Sequence, residues 1–141
     1  MVHVYWDAML FVYWLEDHPR YAHRVGQIHA GMQARGDRLC TSIFTVAEVL
    51  TGPNRDNDTG TAAAFAHFFQ APEIELLPFT LATADQYARI RGHARVQPAD
   101  AIHLAAAAEV GATLFLTHDR RLIGRRFEGI DIIAGLDINV Y

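Results

Sequence analysis

The sequence is poor in cysteine and contains no lysine. Cys40 is the single cysteine among 141 residues, so the chain cannot form an internal disulfide bond or a metal site built from several thiolates. This composition is typical of a reducing compartment, and we expect a cytoplasmic location. All twelve basic side chains are arginine and the formal net charge is −4. Such a charge does not favour non-specific coating of nucleic acid, although it leaves room for a local basic patch.

Long hydrophobic runs are also missing. The most continuous apolar run, Ala8 to Leu15, is far shorter than the roughly 18 residues that a membrane-spanning segment needs. The amino terminus lacks a basic leader, and Asp7 interrupts its apolar residues, so no signal peptide is predicted. We therefore expect no membrane association. The length favours a single domain, residues 1–141, around one core.

Short apolar segments alternate with longer segments of helical periodicity along the chain. The predicted strands are Val2–Trp6, Leu39–Ser42, Ile74–Leu77, Ala112–Leu116 and Ile130–Ala134. The predicted helices are Ala8–Glu16, Arg20–Arg35, Ile43–Leu50, Thr61–Gln70, Leu81–Arg95, Ala101–Val110 with Pro98 at its start, and a short helix capped by Asp119. Gly52-Pro53 is expected to end the third helix, and residues 54–60 to form a mobile loop. The alternation favours an α/β fold with a parallel sheet covered on both faces.

Four acidic residues occupy positions where such a sheet binds ligands. Asp7 and Asp119 each follow a predicted strand, so both are expected at the same sheet edge. Asp100 lies in a first helical turn, and Glu48 has apolar neighbours on both sides. Each acid alone has a structural explanation as a helix cap or a solvent-exposed side chain. Together they would repel unless divalent cations compensated them, which would suit Mg²⁺ or Mn²⁺ and phosphodiester hydrolysis.

Four segments, taken in order, resemble the PIN-domain nucleases, and specifically the VapC-like toxins of bacterial toxin–antitoxin pairs. They are Asp7 after the first strand, residues 45–50 (TVAEVL), residues 98–105 (PADAIHLA) and residues 116–119 (LTHD). Any one segment is weak evidence, but the four at these separations are specific and cover nearly the whole chain.

The resemblance implies a three-layer α/β/α fold with a central parallel sheet. It also implies an Mg²⁺- or Mn²⁺-dependent endoribonuclease that a cognate antitoxin protein neutralises. By the family pattern, the catalytic and metal-binding acids are Asp7, Glu48, Asp100 and Asp119, and Thr117 is a hydroxyl that supports them. One position departs from the family: a hydroxyl or amide residue often follows the first aspartate, whereas Ala8 follows Asp7 here. We expect this change to lower metal affinity or rate without removing an acid.

Arginines near the acids are the candidates for binding RNA phosphates. Arg120 directly follows Asp119 and is the first candidate, and Arg91 and Arg95 share a predicted face just before Pro98. Solvent-exposed surface charge is the alternative for most of them. His103, three residues after Asp100, is interpreted either as a packed histidine or as a residue that orients that carboxylate or contacts the substrate.

The apolar helix Ala8–Leu15 and the phenylalanines Phe65, Phe68 and Phe69 either fill the core or form an interface. The resemblance favours the interface, with a homodimer and an antitoxin-binding groove. Two other functions stay open: a PIN-like nuclease that processes RNA without a toxin role, and an inactive domain that only binds RNA or protein.

Overall fold

The computed structural model describes residues 2–141, which fold into a parallel sheet with helices on both faces. The strands are β1 (His3–Trp6), β2 (Arg38–Ser42), β3 (Ile74–Leu77), β4 (Leu114–Leu116) and β5 (Ile132–Ala134). The helices are α1 (Ala8–Leu15), α2 (Ala22–Arg35), α3 (Ile43–Arg55), α4 (Thr59–Phe68), α5 (Leu81–His93) and α6 (Pro98–Glu109). The strand order is β3-β2-β1-β4-β5, and all neighbouring strands are parallel. The predicted α/β fold with a parallel sheet is confirmed.

The two faces of the sheet carry separate apolar cores because successive side chains of a strand point to opposite faces. Val4 and Trp6 of β1 pack with residues from α1 to α4 on one face. Tyr5 packs on the other face with α6 and with Ile90 of α5. The fold therefore has the three layers that the resemblance implied. No helix within residues 2–141 combines the length and apolarity needed to cross a membrane.

The apolar segments that exceeded expectation for a small core pack against each other. Phe65 and Phe69 are buried, and the ring of Phe69 lies 5.0 Å from that of Phe11 in α1, centroid to centroid. Phe68 contacts the same ring at 6.3 Å. Core packing thus accounts for these aromatic side chains. The homodimer stays a prediction, and it rests on the family resemblance alone.

The prediction that Gly52-Pro53 ends the third helix is wrong, because α3 continues to Arg55 with Pro53 inside it. Proline removes one helical N–H, but only in the last turn, where few further bonds depend on it. Asn54 donates its side-chain amide to the carbonyl of Leu50 at 2.8 Å, and the proline ring itself is buried. The predicted loop at residues 54–60 is accordingly much shorter, since α4 already begins at Thr59.

The short helix predicted after Asp119 is also absent. Residues 120–124 form consecutive turns instead. Gly124 has φ +82°, a left-handed conformation that ends a helix, and its N–H donates to the carbonyl of Ile133 in β5. The side chain of Leu122 is buried and anchors this segment to the sheet. The arginines that follow Asp119 therefore lie on a folded loop rather than on one helical face.

The carboxyl ends of β1 and β4 lie side by side at the centre of the sheet. Trp6 pairs with Leu116, and the N–H of Asp7 donates to the carbonyl of Leu116 at 3.1 Å. Asp7 and Thr117 therefore leave the sheet as neighbours. Strand β2 flanks β1 on the other side and ends at Ser42, which caps the helix that carries Glu48.

Candidate active site

Asp7 is held at the amino-terminal end of α1. Its Oδ1 accepts a hydrogen bond from the N–H of Met9 at 3.1 Å, and Oδ2 accepts one from the hydroxyl of Thr117. The side chain thus caps the helix, as a residue at this position is expected to do. Burial nevertheless raises the pKa of Asp7 to about 6, with the hydrogen bond from Thr117 acting in the opposite direction. An aspartate that resists ionisation in this way favours a nearby cation.

Thr117 connects two of the predicted acids. It is fully buried, and its hydroxyl donates to the carboxylate of Asp7 while accepting from the N–H of Asp119 at 3.0 Å. One side chain therefore sets the position of Asp7 relative to the backbone of Asp119. The supporting role that the resemblance implied for Thr117 stays a prediction.

Glu48 lies against a buried histidine of the opposite helix layer. The imidazole of His103 is 4% exposed, and its Nε2 lies 2.5 Å from Oε1 of Glu48. The other ring nitrogen, Nδ1, lies 2.7 Å from the hydroxyl of Tyr5. His103 therefore orients the carboxylate of Glu48. The spacing along α6 had suggested the carboxylate of Asp100 instead.

Asp119 and Asp100 share one guanidinium. The side chain of Arg121 contacts both carboxylate oxygens of Asp119, at 3.1 Å from Nε and 2.8 Å from Nη2. Its Nη2 also lies 3.9 Å from Oδ2 of Asp100. Hydrogen bonds from Arg121 lower the pKa of Asp119, whereas burial and the charge of Asp119 raise the pKa of Asp100. A carboxylate that raises the pKa of its neighbour, with a guanidinium close to both, indicates a site that favours cations.

The four predicted acids come together in one cleft of about 260 Å³, which we call the acid cleft. It is lined by Asp7, Ala8, Met9, Tyr13, Glu48, Asp100, His103, His118 and Asp119. The acids arrive from four places: the end of β1, the helices α3 and α6, and the loop after β4. Their convergence at the carboxyl edge of the sheet is the arrangement expected of a ligand site in a parallel α/β fold.

The acid cleft has the donor chemistry of a site for a hard divalent cation, but its side chains are not gathered around one point. Within residues 2–141, no three histidine, cysteine, aspartate or glutamate side chains form a group that could hold a metal ion. Three of the acids contact separate partners instead. Asp7 accepts a hydrogen bond from Thr117, Glu48 contacts His103, and Asp119 contacts Arg121. Carboxylate oxygens without thiolates fit Mg²⁺ or Mn²⁺. The four-acid ligand set stays a prediction.

The predicted RNA-binding arginines occupy different surroundings. Arg120 lines a cleft of about 500 Å³ that shares His118 with the acid cleft. Arg95 lines two other clefts, one of which includes Asp100. Arg91 is exposed on α5 and lines none of the clefts named here.

Sequence reasoning missed the contacts made by Arg121 and Tyr5. Arg121 was expected on a helix, and only the turn after Asp119 folds its guanidinium back onto that carboxylate. Tyr5 carried a usable signal, because a tyrosine in the middle of a buried strand needs a hydrogen-bond partner for its hydroxyl. The pattern did not reveal which partner that is.

The family model of the PIN domain matches residues 4–128. No curated protein matches the chain.

Similar solved structures include VapBC2 from Rickettsia felis bound to a DNA fragment from its promoter, at 14% identity and TM-score 0.73, covering 94% of this chain and 98% of that chain. VapC20 of Mycobacterium tuberculosis, a toxin that cleaves the sarcin-ricin loop, matches at 15% identity and TM-score 0.69, with 83% and 90% covered. VapBC-5 of the same organism matches at 25% identity and TM-score 0.53, with 69% and 82% covered. The family model spans most of the chain and all four acids, and we conclude that this protein belongs to the PIN domain family.

Proposed function

We propose that this protein is a divalent-cation-dependent endoribonuclease that acts as the toxin of a toxin–antitoxin pair in the cytoplasm. The observation that carries the proposal is the convergence of Asp7, Glu48, Asp100 and Asp119 on one cleft of a PIN domain. Membership of the family supports a nuclease, and the solved structures of VapBC proteins with the same fold support a toxin with an antitoxin partner.

The four acids are the proposed ligands of Mg²⁺ or Mn²⁺. When bound, such a cation supplies Lewis-acid activation of a phosphoryl oxygen and of an attacking water. Asp7 stays oriented by Thr117 and the amino terminus of α1, and Glu48 stays oriented by His103. Asp119 already lines the cleft, and binding a cation would require its carboxylate to exchange Arg121 for that cation. The guanidinium of this pair is largely exposed, so we expect the exchange to cost little free energy.

Arginines beside the acid cleft are the proposed contacts to RNA phosphates. Arg120 is exposed on the side of His118, and Arg95 is exposed on the side of Asp100. Arg91 is also retained as a candidate, although it lies outside these clefts. Arginine suits this role because its planar guanidinium contacts phosphate oxygens through two hydrogen bonds. The proposed protein partners are a cognate antitoxin and a second copy of the chain.

Substitution of single acids tests the catalytic assignment. We expect Asp7→Asn, Asp100→Asn and Asp119→Asn to lose at least about 100-fold in Mn²⁺-dependent cleavage of single-stranded RNA while the fold is retained by circular dichroism. Asparagine can still accept the hydrogen bond from the N–H of Arg121, so Asp119→Asn keeps the turn that follows this residue. Asp131→Asn is the matched control, because Asp131 is exposed and does not line the acid cleft. Cleavage that survives in Asp7→Asn and Asp100→Asn would show that the assignment is wrong.

Expression in bacteria separates the toxin from the two alternatives. A toxin arrests growth, the Asp7→Asn variant does not, and the product of an adjacent small gene restores growth. Metal-dependent cleavage without growth arrest would indicate an RNA-processing nuclease. RNA binding without cleavage would indicate an inactive binding domain.

A further inference from the structure

A second and larger cleft lies beside the acid cleft. It has a volume of about 880 Å³ and is formed by the carboxyl-terminal half of α5, the segment that connects α5 to α6, and residues 125–128. We call it the arginine groove, because four arginines line it and only one acid, Glu128, does. The arginines are Arg89, Arg95, Arg125 and Arg126, and Ile90 and Phe127 add apolar surface. Of the groove's lining residues, only Arg95 is already among the proposed contacts to RNA, and the other arginines have no role in the proposed nuclease chemistry.

The arginine groove leads to the acid cleft. A smaller cleft of about 230 Å³ shares Arg95 and Arg125 with the groove and shares Asp100 with the acid cleft. Arg121, which contacts Asp119, also lines this connecting cleft. The connecting cleft therefore adjoins the acid cleft at Asp100 and the arginine groove at Arg95 and Arg125.

The charge of the groove contrasts with the charge of the whole protein. Five of the twelve arginines line the groove and the connecting cleft, although the formal net charge is −4. Arg89 is paired with Asp85 at 3.0 Å, but Arg95 and Arg126 make no ion pair with any of residues 2–141. Both side chains are exposed and free to contact an anion. A row of such cations along a groove is the electrostatic signature of a nucleic-acid backbone site.

The two walls of the groove are held together by Arg125. Its Nη1 donates to the carbonyl of Arg95 at 2.9 Å, and its guanidinium lies 5.0 Å from the ring centroid of Phe127. The first contact links the segment before α6 to the loop after β4, so the groove is a structural feature of the fold. Phe127 and Ile90 supply apolar surface on which unpaired bases or riboses can pack.

We propose that the arginine groove binds the backbone of an unpaired RNA segment that continues from the acid cleft. This inference rests on the proposed function, because it assigns the substrate of the same site. An unpaired strand fits better than a duplex, since only unpaired bases can reach the apolar surface of Ile90 and Phe127. The arginines contact phosphates and carry no sequence specificity, so the groove adds affinity and selects unpaired RNA.

The salt dependence of RNA binding tests the groove directly. The probe is a fluorescein-labelled oligouridylate of about 16 nucleotides, bound to the intact protein in EDTA and followed by anisotropy at increasing salt. For a single strand, each lost phosphate contact reduces the slope of log K against log salt concentration by about 0.7. We expect this reduction for Arg95→Ala and for Arg126→Ala, and about twice as much for the double variant. Arg55→Ala is the matched control, because Arg55 is exposed and lines none of these clefts.

Three outcomes would overturn the inference. The first is an unchanged slope in Arg95→Ala and Arg126→Ala. The second is an equal effect on a duplex of the same length. The third is that these variants weaken the binding of an acidic antitoxin segment and leave RNA binding intact, which would assign the groove to a protein partner.

Metal-dependent cleavage by the same proteins distinguishes failure of the inference from failure of the proposed function. Arg126→Ala is expected to raise KM for a long single-stranded RNA and leave kcat unchanged, whereas Asp7→Asn abolishes cleavage. Loss of cleavage in Asp7→Asn with normal salt slopes in the arginine variants would refute the groove alone. Reduced salt slopes in the arginine variants, together with no cleavage by the parent protein, would refute the nuclease alone.

Discussion

Nε2 of His103 lies 2.5 Å from Oε1 of Glu48, and this contact joins α6 to α3 beside the acid cleft. The neighbouring residues determine which atom donates. The N–H of Ser42 donates to the hydroxyl of Tyr5 at 3.1 Å, and burial raises the pKa of Tyr5, so the phenol keeps its proton. That proton is donated to Nδ1 of His103, which leaves Nε2 as the protonated nitrogen facing Glu48. A buried tyrosine thus orients a carboxylate through a histidine.

Tyr5→Phe removes the proton that fixes this tautomer and leaves the N–H of Ser42 without its acceptor. We expect a loss of about 1–3 kcal/mol in the free energy of unfolding, measured with urea, because a buried donor becomes unsatisfied. Calorimetry should also show weaker Mn²⁺ binding, since Glu48 is no longer held. Tyr87→Phe is the control, because the hydroxyl of Tyr87 makes no hydrogen bond within residues 2–141. Unchanged Mn²⁺ affinity in a folded Tyr5→Phe protein would limit this contact to a structural role.

The raised pKa of Asp7 predicts a pH-dependent cost to stability. Because burial moves this pKa from 3.8 to about 6, the native state holds a proton that the unfolded chain has lost between these values. The free energy of unfolding therefore falls as pH rises from about 4 to about 6, and stays reduced above that range. Asp7→Asn has no charge to bury. In EDTA, we expect it to match the parent protein near pH 4 and to exceed it by roughly 1–3 kcal/mol above pH 6.

Urea denaturation at a series of pH values measures this difference. Asp131→Asn should show little pH dependence relative to the parent, because its carboxylate is exposed. A difference between Asp7→Asn and the parent that does not change from pH 4 to pH 8 would contradict the raised pKa.

Arg121 competes with a divalent cation for Asp119. Its guanidinium covers both oxygens of that carboxylate and approaches Asp100, so Arg121→Ala should tighten Mn²⁺ binding. The side chain of Arg121 is largely exposed, and exposed pairs contribute up to about 1 kcal/mol, which limits the gain to about fivefold in Kd. Isothermal titration calorimetry measures the effect, with Arg120→Ala as the control, since Arg120 makes no ion pair within residues 2–141. Weaker Mn²⁺ binding in Arg121→Ala would exclude competition.

Much of the site could be predicted because parallel sheets bring the residues after their strands to one edge. Asp7 and Asp119 were assigned to the same edge on this ground, and β1 and β4 are adjacent. Asp100 and Glu48 could not be assigned in this way, since their positions depend on how α6 and α3 pack. The resemblance supplied both residues, and the structure places them in the same cleft.

The wrong predictions share a cause. Pro53 was interpreted from local propensity, but burial of its ring and the side-chain bond from Asn54 let α3 continue past it. The segment after Asp119 has a helical pattern, but Gly124 and the buried Leu122 hold it as a folded loop against the sheet. At Pro53 tertiary packing overrode the local penalty of about 3 kcal/mol for proline in a helix, and after Asp119 the burial of Leu122 against the sheet outweighed the helical pattern.

The sequence by itself determined the α/β class and the parallel sheet, because these depend on periodicity within short stretches of chain. Its short motifs also carried the resemblance to the PIN domain family, and that resemblance implied the four candidate acids. The tertiary structure alone decided the partners of those acids. Glu48 and His103 are in contact although 55 positions separate them in the sequence. The separation is 98 positions for Tyr5 and His103, and 110 for Thr117 and Asp7. The arginine groove likewise combines α5 with residues 125–128. Contacts at such separations are set by the packing of whole elements, and no local pattern encodes them.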